Sequence, residues 1–208
     1  MARYLGSVCK LCRREQTKLF LKGDKCFTKC VLDARPTTPG MAKPQRGKPS
    51  EFSIRLREKQ KLRRLIQMNE KPFRRLVEKA GKAKMSSGEH LLRSLELRLD
   101  NVVRRMGFAT SLKTARQLVL HGHVRVGGKP VNIPSYPVKP GDQIALTAGI
   151  KDNTGVKLSL ETAKRLNNRP SFVEVDLDQL SGKVIRAPER AEMSFPVTEQ
   201  LIIEYYSK

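Results

Sequence analysis

Apolar residues recur at helical spacing along most of the chain and at alternating spacing in one stretch, and the order of these periods lays out the elements. The clearest stripe is Leu92, Leu95, Leu99, Val102, Val103 and Met106, at offsets 0, 3, 7, 10, 11 and 14, which predicts one helix with a single apolar face. Ser86-x-x-Glu89 ahead of it reads as a capping box, and Gly107 as its stop. Ser111 caps the next helix, which buries Leu112, Ala115, Leu118 and Val119 and ends at Gly122. The period then changes to two. Val124 and Val126 alternate with His123 and Arg125, Gly127-Gly128 makes a hairpin turn, and Lys129 to Val131 returns. Pro140-Gly141-Asp142 turns the chain into a strand from Gln143 to Thr147. Upstream, Ser50 opens a densely charged helix reaching Met68, and Asn69 caps another whose apolar side is Phe73, Leu76 and Val77. Between Arg35 and Pro49, four prolines predict an irregular, extended connector.

Charge changes the picture more than hydropathy does. The 208 residues carry 42 Lys and Arg against 20 Asp and Glu, a formal net charge of +22. Residues 1–50, 51–100 and 101–150 hold net charges of +9, +7 and +6, whereas residues 151–208 are neutral. Such an excess is tolerated most easily when a polyanion neutralises it, so nucleic acid is the expected partner. The neutral tail, with Phe172, Val173, Val175 and Leu201-Ile202-Ile203 as core material, reads as structural cover or a protein-contact surface. No apolar run approaches the roughly 20 residues of a membrane span, and no signal-peptide pattern follows the N-terminus, so neither membrane insertion nor secretion is expected. Seven Phe, four Tyr and no Trp leave few platforms for stacking unpaired bases, which favours folded, phosphate-rich RNA or a duplex.

All four cysteines fall in one short stretch, Cys9, Cys12, Cys26 and Cys30, spaced C-x2-C-x13-C-x3-C. Two close pairs joined by a loop suit a tetrahedral metal, each pair forming a knuckle and the loop closing the shell. Two disulfides would fit the count, but a chain without an export signal keeps its thiols reduced. One structural Zn²⁺ is expected, and four thiolates would equally hold an iron–sulfur cluster. Four thiolates also fill the coordination sphere, so the site is read as scaffold rather than catalyst.

Candidate phosphate contacts follow the charge. Arg13 and Arg14 flank the first cysteine pair, and Arg46 and Lys48 lie in the connector. Arg55, Arg57, Lys59, Lys61, Arg63 and Arg64 crowd the first long helix, where they repel one another unless phosphates intervene. Arg98, Asn101 and Arg105 share one polar edge of the striped helix, with Arg104 beside them. Ser111, Lys113, Arg116, Gln117 and His121 face outward from the next helix, and His123 and Arg125 from the first strand. A solvated helix face would account for some of these charges.

Arg98-Leu-Asp-Asn-Val-Val103, Ala115-Arg-Gln-Leu118, His121-Gly-His-Val124, Val126-Gly-Gly128 and Lys139-Pro-Gly-Asp142 resemble the RNA-binding module of the small-subunit ribosomal protein four family. The opening Ala2-Arg-Tyr, the basic run Arg55 to Arg64, the cysteine knuckles and the ending Glu204-Tyr-Tyr-Ser-Lys208 resemble that family as well, so the likeness spans essentially the whole chain. The resemblance implies a cytoplasmic, primary binder of small-subunit rRNA that gathers a multi-helix junction in the 5′ region and nucleates assembly of the subunit body. It further implies a seat beside the channel through which mRNA enters, contact with the neighbouring ribosomal protein five, and an influence on decoding accuracy. The implied fold is α+β: a four-cysteine knuckle and a mostly helical first domain, with an inserted RNA-binding module of two helices on a small, mainly antiparallel sheet. The expected boundaries are 1–48 for knuckle and connector, 49–90 for the helical part, 91–150 for the inserted module, and 151–208 for a segment returning to the first domain. Metal binding rests on this sequence rather than on the family, and Arg104 stands where many relatives carry an aromatic residue.

An RNA-modifying enzyme would need a catalytic domain of about 150 residues or more beside such a module, and the flanks do not leave room for it. No P-loop, dinucleotide fingerprint or nucleophile pair is present, and His90, His121 and His123 have no ligand or triad spacing. The chain is therefore not expected to be an enzyme, nor to take a small-molecule substrate.

Overall fold

A computed structural model of the chain describes residues 4–40, 48–83, 85–166, 169–193 and 195–207. The chain divides into two compact units, Met1–Leu92 with Ser194–Lys208, and Arg93–Met193.

The first unit is helical. Three short helices, α1 (Cys9–Glu15), α2 (Lys25–Thr28) and α3 (Val31–Ala34), precede the long α4 (Glu51–Leu65) and α5 (Glu70–Gly81). Ser50 caps α4 by accepting a hydrogen bond from the Ser53 amide, as its place before the charged run predicts. Val8, Cys12, Leu19 and Leu21 form a small core around α1, with Leu65 of α4 packed against it. The last helix, α10 (Glu199–Tyr206), lies on α4, with Ile202 fully buried.

α6 (Ser87–Glu96) leads into the second unit, which holds α7 (Leu99–Arg105), α8 (Leu112–Leu120) and α9 (Thr154–Leu166). Its sheet has β1 (Val124–Val126), β2 (Lys129–Pro130), β3 (Gln143–Leu146), β4 (Val173–Asp176) and β5 (Ser181–Val184). The strands run in the order β2-β1-β3-β5-β4, and every neighbouring pair is antiparallel. Gly127 and Gly128 both take positive φ, 55° and 79°, which is the geometry of a two-residue type I′ hairpin turn. Leu99, Val102 and Val103 of α7 with Met106 at its end, Ala115 and Val119 of α8, and Val124 and Ile144 of the sheet close one core.

Two expectations are corrected. The stripe from Leu92 to Met106 is fully buried throughout, yet it does not lie on one helix. The helix breaks at Leu97-Arg98, where Arg98 turns extended (ψ 139°) and bridges Pro137. The Leu97 carbonyl accepts from the Val138 amide at 2.9 Å, and the Leu99 amide donates to the Tyr136 carbonyl at 2.9 Å. Strand-like contacts thus take the Leu99 and Asp100 amides out of the helical ladder, with no glycine or proline to announce the break.

The second correction concerns the tail. Residues 151–193 belong to the second unit, because β5 pairs with β3 from Gln143↔Lys183 to Ala145↔Ser181 and carries β4 beyond it. Only the segment from residue 194 onward joins the first unit.

Gly107 offers a test of this packing. Its φ is +87°, and a Cβ there would stand 2.6 Å from the Cβ of Ala163 on α9. Gly107→Ala is expected to destabilise the second unit by about 1–3 kcal/mol, read as a lowered thermal midpoint. Gly149→Ala, where no atom lies within 4 Å, should stay within about 0.5 kcal/mol of the parent.

Candidate nucleic-acid interface

The six basic side chains of α4 do not stand as an open cationic stripe. Arg57 reaches Glu15 at 3.2 Å, and Arg64 closes on the same carboxylate. Arg55 bridges Glu204 at 2.8 Å and Glu51 at 3.0 Å, and Lys61 pairs with Glu58 at 2.6 Å. Lys59 is 3% exposed, bonded to both oxygens of Glu70 at 3.0 Å, with its ammonium 4.7 Å from the Tyr205 ring. Arg63 binds Gln60 at 2.9 Å and lies 3.5 Å from Glu70. The repulsion expected along this helix is therefore relieved by carboxylates of the same unit, not by phosphates alone. Burial pushes the Glu15 carboxyl above its ordinary value against the pull of Arg64 and Arg57, and burial draws Arg64 below its own.

The polar edge expected at Arg98, Asn101 and Arg105 also turns inward, because the helix break rotates it. Arg98 grips Asp100 with two donors, at 3.1 and 2.8 Å, and both residues are buried. Asn101 donates to Glu96 at 2.9 Å and accepts from Arg104 at 3.0 Å. Arg105 closes on Glu96 and donates to the Glu192 carbonyl at 3.1 Å. Burial lowers the Arg104 guanidinium from its usual value, and Arg105 beside it adds to the effect. A guanidinium in such a place stays charged, so this is a network of ions held together by carboxylates.

In the second unit, the candidates that still face water lie on α8 and the hairpin. Ser111 is buried as the N-cap, its hydroxyl accepting from the Thr114 amide at 3.2 Å. Lys113 and Arg116 are half-buried, while Gln117, His121, Arg125 and Lys129 are exposed. Arg116 sits 3.7 Å from Asp100, and the His121 and His123 rings are 6.2 Å apart. Lys129 was not singled out by the sequence; its signal was the hairpin turn, which sets it directly across from Val126.

Among the remaining candidates, Arg13 is tied to the Thr37 carbonyl at 2.8 Å, Arg14 and Lys48 are exposed, and Arg46 lies outside the described residues. Cys9, Cys12, Cys26 and Cys30 are all free thiols and line one cavity of about 20 Å³. The four-cysteine knuckle expected from the spacing is not formed as a shell, since no group of three or more His, Cys, Asp and Glu among the described residues is gathered closely enough to hold a metal. Burial pushes the Cys12 thiol up from its ordinary value, and Cys26, Cys9 and Cys30 add to the rise. The Lys22 amide donates to the Cys26 Sγ at 3.3 Å.

Known proteins supply the frame for this geometry. The Ribosomal protein S4/S9 N-terminal domain matches residues 3–96, and the S4 domain matches residues 97–144. The small ribosomal subunit protein uS4 of Thermodesulfovibrio yellowstonii is 50% identical over the full length of both chains. The chain belongs to the uS4 family. The uS4 proteins of Thermus thermophilus and Natranaerobius thermophilus are 47% and 50% identical, again over the full length of each. In this uS4 chain the S4 domain begins at the helix break and includes α7, α8, β1 and β2, so Arg98, Asp100, Asn101, Arg104 and Arg105 of the ion network lie within it and Glu96 directly precedes it. β4 and β5 lie beyond the matched S4 domain and complete its sheet.

The network should be felt in stability. Glu96→Ala leaves Arg105 and Asn101 facing a buried hole and is expected to cost about 3–5 kcal/mol of unfolding free energy. Urea denaturation measures it, and Gln117→Ala on the exposed side of α8 should change it by less than about 0.5 kcal/mol.

Proposed function

We propose that this chain is an rRNA-binding structural constituent of the small ribosomal subunit, with no catalytic role, holding folded RNA through the cationic outer face of its S4 domain. The observation that carries the reading is the sorting of basic residues in that domain. Arg98, Arg104 and Arg105 are engaged by partners inside the fold, while Arg125 and Lys129 lie exposed with Gln117 and His121, beside half-buried Lys113 and His123, on α8 and the hairpin. Lysine ammonium groups and an unshielded arginine on a firm scaffold suit phosphate oxygens, and such contacts fix position on folded RNA rather than reading its sequence. Membership of the uS4 family supplies the partner, small-subunit rRNA.

Finer features follow from the family resemblance. The RNA would be the multi-helix junction of the 5′ region, and binding there would nucleate the subunit body in the cytoplasm. Ribosomal protein five would be the neighbouring protein, and mRNA would pass close by, which links the chain to decoding accuracy.

Phosphate contacts make binding depend on salt. Lys113→Ala and Arg125→Ala are each expected to weaken binding to naked small-subunit rRNA about tenfold, the size of one charge-assisted contact. Each should also reduce the slope of log K against log salt by about 0.7–0.9, with the melting temperature unchanged. Affinity and slope equal to the parent in both variants would remove the α8–hairpin face from the interface.

The cysteine cluster is read as the seat of one structural metal, Zn²⁺ first and an iron–sulfur cluster second. Four thiols around one cavity, free of disulfides and with a backbone amide already aimed at a sulfur, have the donor chemistry for it. Bound there, the metal would bind thiolates and add a cross-link beside the small apolar core of Val8, Leu19 and Leu21. Elemental analysis of purified protein should find about one zinc per chain, or iron with acid-labile sulfide. Cys26→Ser should remove the metal and speed amide exchange in residues 4–40, leaving the sheet of the second unit protected. Reduced thiols with neither metal would refute the site.

A further inference from the structure

We infer that Phe20 and Phe27 form a stacking platform for one unpaired base of the rRNA, beside the cysteine cluster. This rests on the rRNA-binding reading and adds to it a contact of a different kind. The two rings lie 5.0 Å apart between centroids and 29° from parallel, so they already make a short stack. Both remain in water: Phe20 is 41% exposed and Phe27 61%. In a chain with only seven Phe and no Trp, two of them exposed together is an arrangement that core packing does not explain.

The platform is held firmly. Leu19 and Leu21, on either side of Phe20, are buried in the small core with Val8 and Cys12, which pins the intervening ring to the outside. Phe20 itself takes a φ of +49°, a left-handed conformation that a bulky side chain rarely adopts. Phe27 rides on α2, and that helix is tied to the loop after Phe20 by the Lys22 amide on the Cys26 sulfur at 3.3 Å and by the Cys26 amide on the Gly23 carbonyl at 2.9 Å.

Charge selects the occupant. Lys22, Lys25 and Lys29 are exposed on the same loop and helix. An apolar ring pair bordered by ammonium groups matches a nucleotide, whose base offers a π-face and whose phosphate offers the counter-charge. Every base has such a face, so the platform would hold a splayed base without reading its identity.

The test titrates naked small-subunit rRNA with the full-length parent and with Phe27→Ala, Phe27→Leu and Phe27→Trp. Loss of one stacked base should weaken binding about tenfold in the Ala and Leu variants, while Trp retains the parent affinity. The salt slope should not change, because no phosphate contact is removed. As the chain has no tryptophan, the introduced indole reports alone, and its emission should be quenched when RNA binds. Leu binding as tightly as the parent, or an indole whose emission ignores bound RNA, overturns the platform. So does normal binding of Phe27→Ala to naked rRNA with loss from assembled subunits, which would make the ring pair a protein-docking site. Should Ala alter the melting curve, Leu and Trp carry the comparison. If the parent binds and Lys113→Ala weakens it while Phe27→Leu does not, only the platform falls; if the parent does not bind, the rRNA reading falls with it.

Discussion

Glu96 is 0% exposed and Asp100 is 1% exposed, and each is paired with a largely buried guanidinium, Arg105 and Arg98 respectively. A carboxylate taken out of water in this way is destabilising by several kcal/mol unless charges and hydrogen bonds replace its solvent. Glu96 accepts from Arg105 and Asn101, and Asp100 accepts from Arg98 twice and lies near Arg116. The S4 domain depends on this exchange. The Leu97-Arg98 break sits between the two carboxylates, and Arg98 reaches Asp100 because its backbone has left the helix there. The same break lets Leu97 and Leu99 bond to Val138 and Tyr136, which joins the two helices to the loop leading into β3.

The first unit meets the same problem along α4. Glu15 at the end of α1 takes Arg57 and Arg64, Glu204 of α10 takes Arg55, and Glu70 at the start of α5 takes Lys59 and Arg63. Acidic residues from three other elements thus fasten α4 along its length. These are charges a uniformly basic helix would need from outside the protein. With them inside, much of the helix's charge is balanced within the unit itself.

Periodicity in the sequence was enough for α5, α8, the β1–β2 hairpin and the strand β3, because each is set by local signals: a capping serine at Ser111, paired glycines at 127 and 128, a turn at Gly141. It was not enough for the break at Arg98, since the offsets of Leu92 through Met106 satisfy one helix face whether or not the helix is continuous. The competing interaction is tertiary, a backbone pairing with a segment nearly forty residues downstream. β4 and β5 were missed for the same kind of reason. Val173 and Val175 alternate over only four residues, and Ser181-Gly182-Lys183 has no apolar signature, because Gly182 is dictated by the Glu174 carbonyl 2.7 Å from where its Cβ would stand. The candidate interface divided along the same line. Residues whose outward position follows from local structure, such as Gln117, His121 and Arg125, were placed correctly on the surface, whereas Arg98 and Asn101 were not, because their direction depends on the break.

The chemistry of arginine suits the cations that the S4 domain holds inside. Inside the S4 domain the cations are arginines, Arg98, Arg104 and Arg105, whose planar forks satisfy a carboxylate or an amide oxygen with two parallel donors and keep their charge when desolvated. On the α8–hairpin face, half-buried Lys113 and exposed Lys129 carry compact ammonium groups on flexible stems, suited to phosphates whose positions vary, and the exposed Arg125 stands beside them. Lys59 in the first unit is the exception that obeys the same physics. It is buried, and its ammonium is met by both oxygens of Glu70 and by the face of the Tyr205 ring. Arg116 stands on the boundary between the two groups, half-buried and 3.7 Å from Asp100. A phosphate arriving over α8 would therefore meet a guanidinium already oriented from below, so that little side-chain freedom is left to lose when RNA binds.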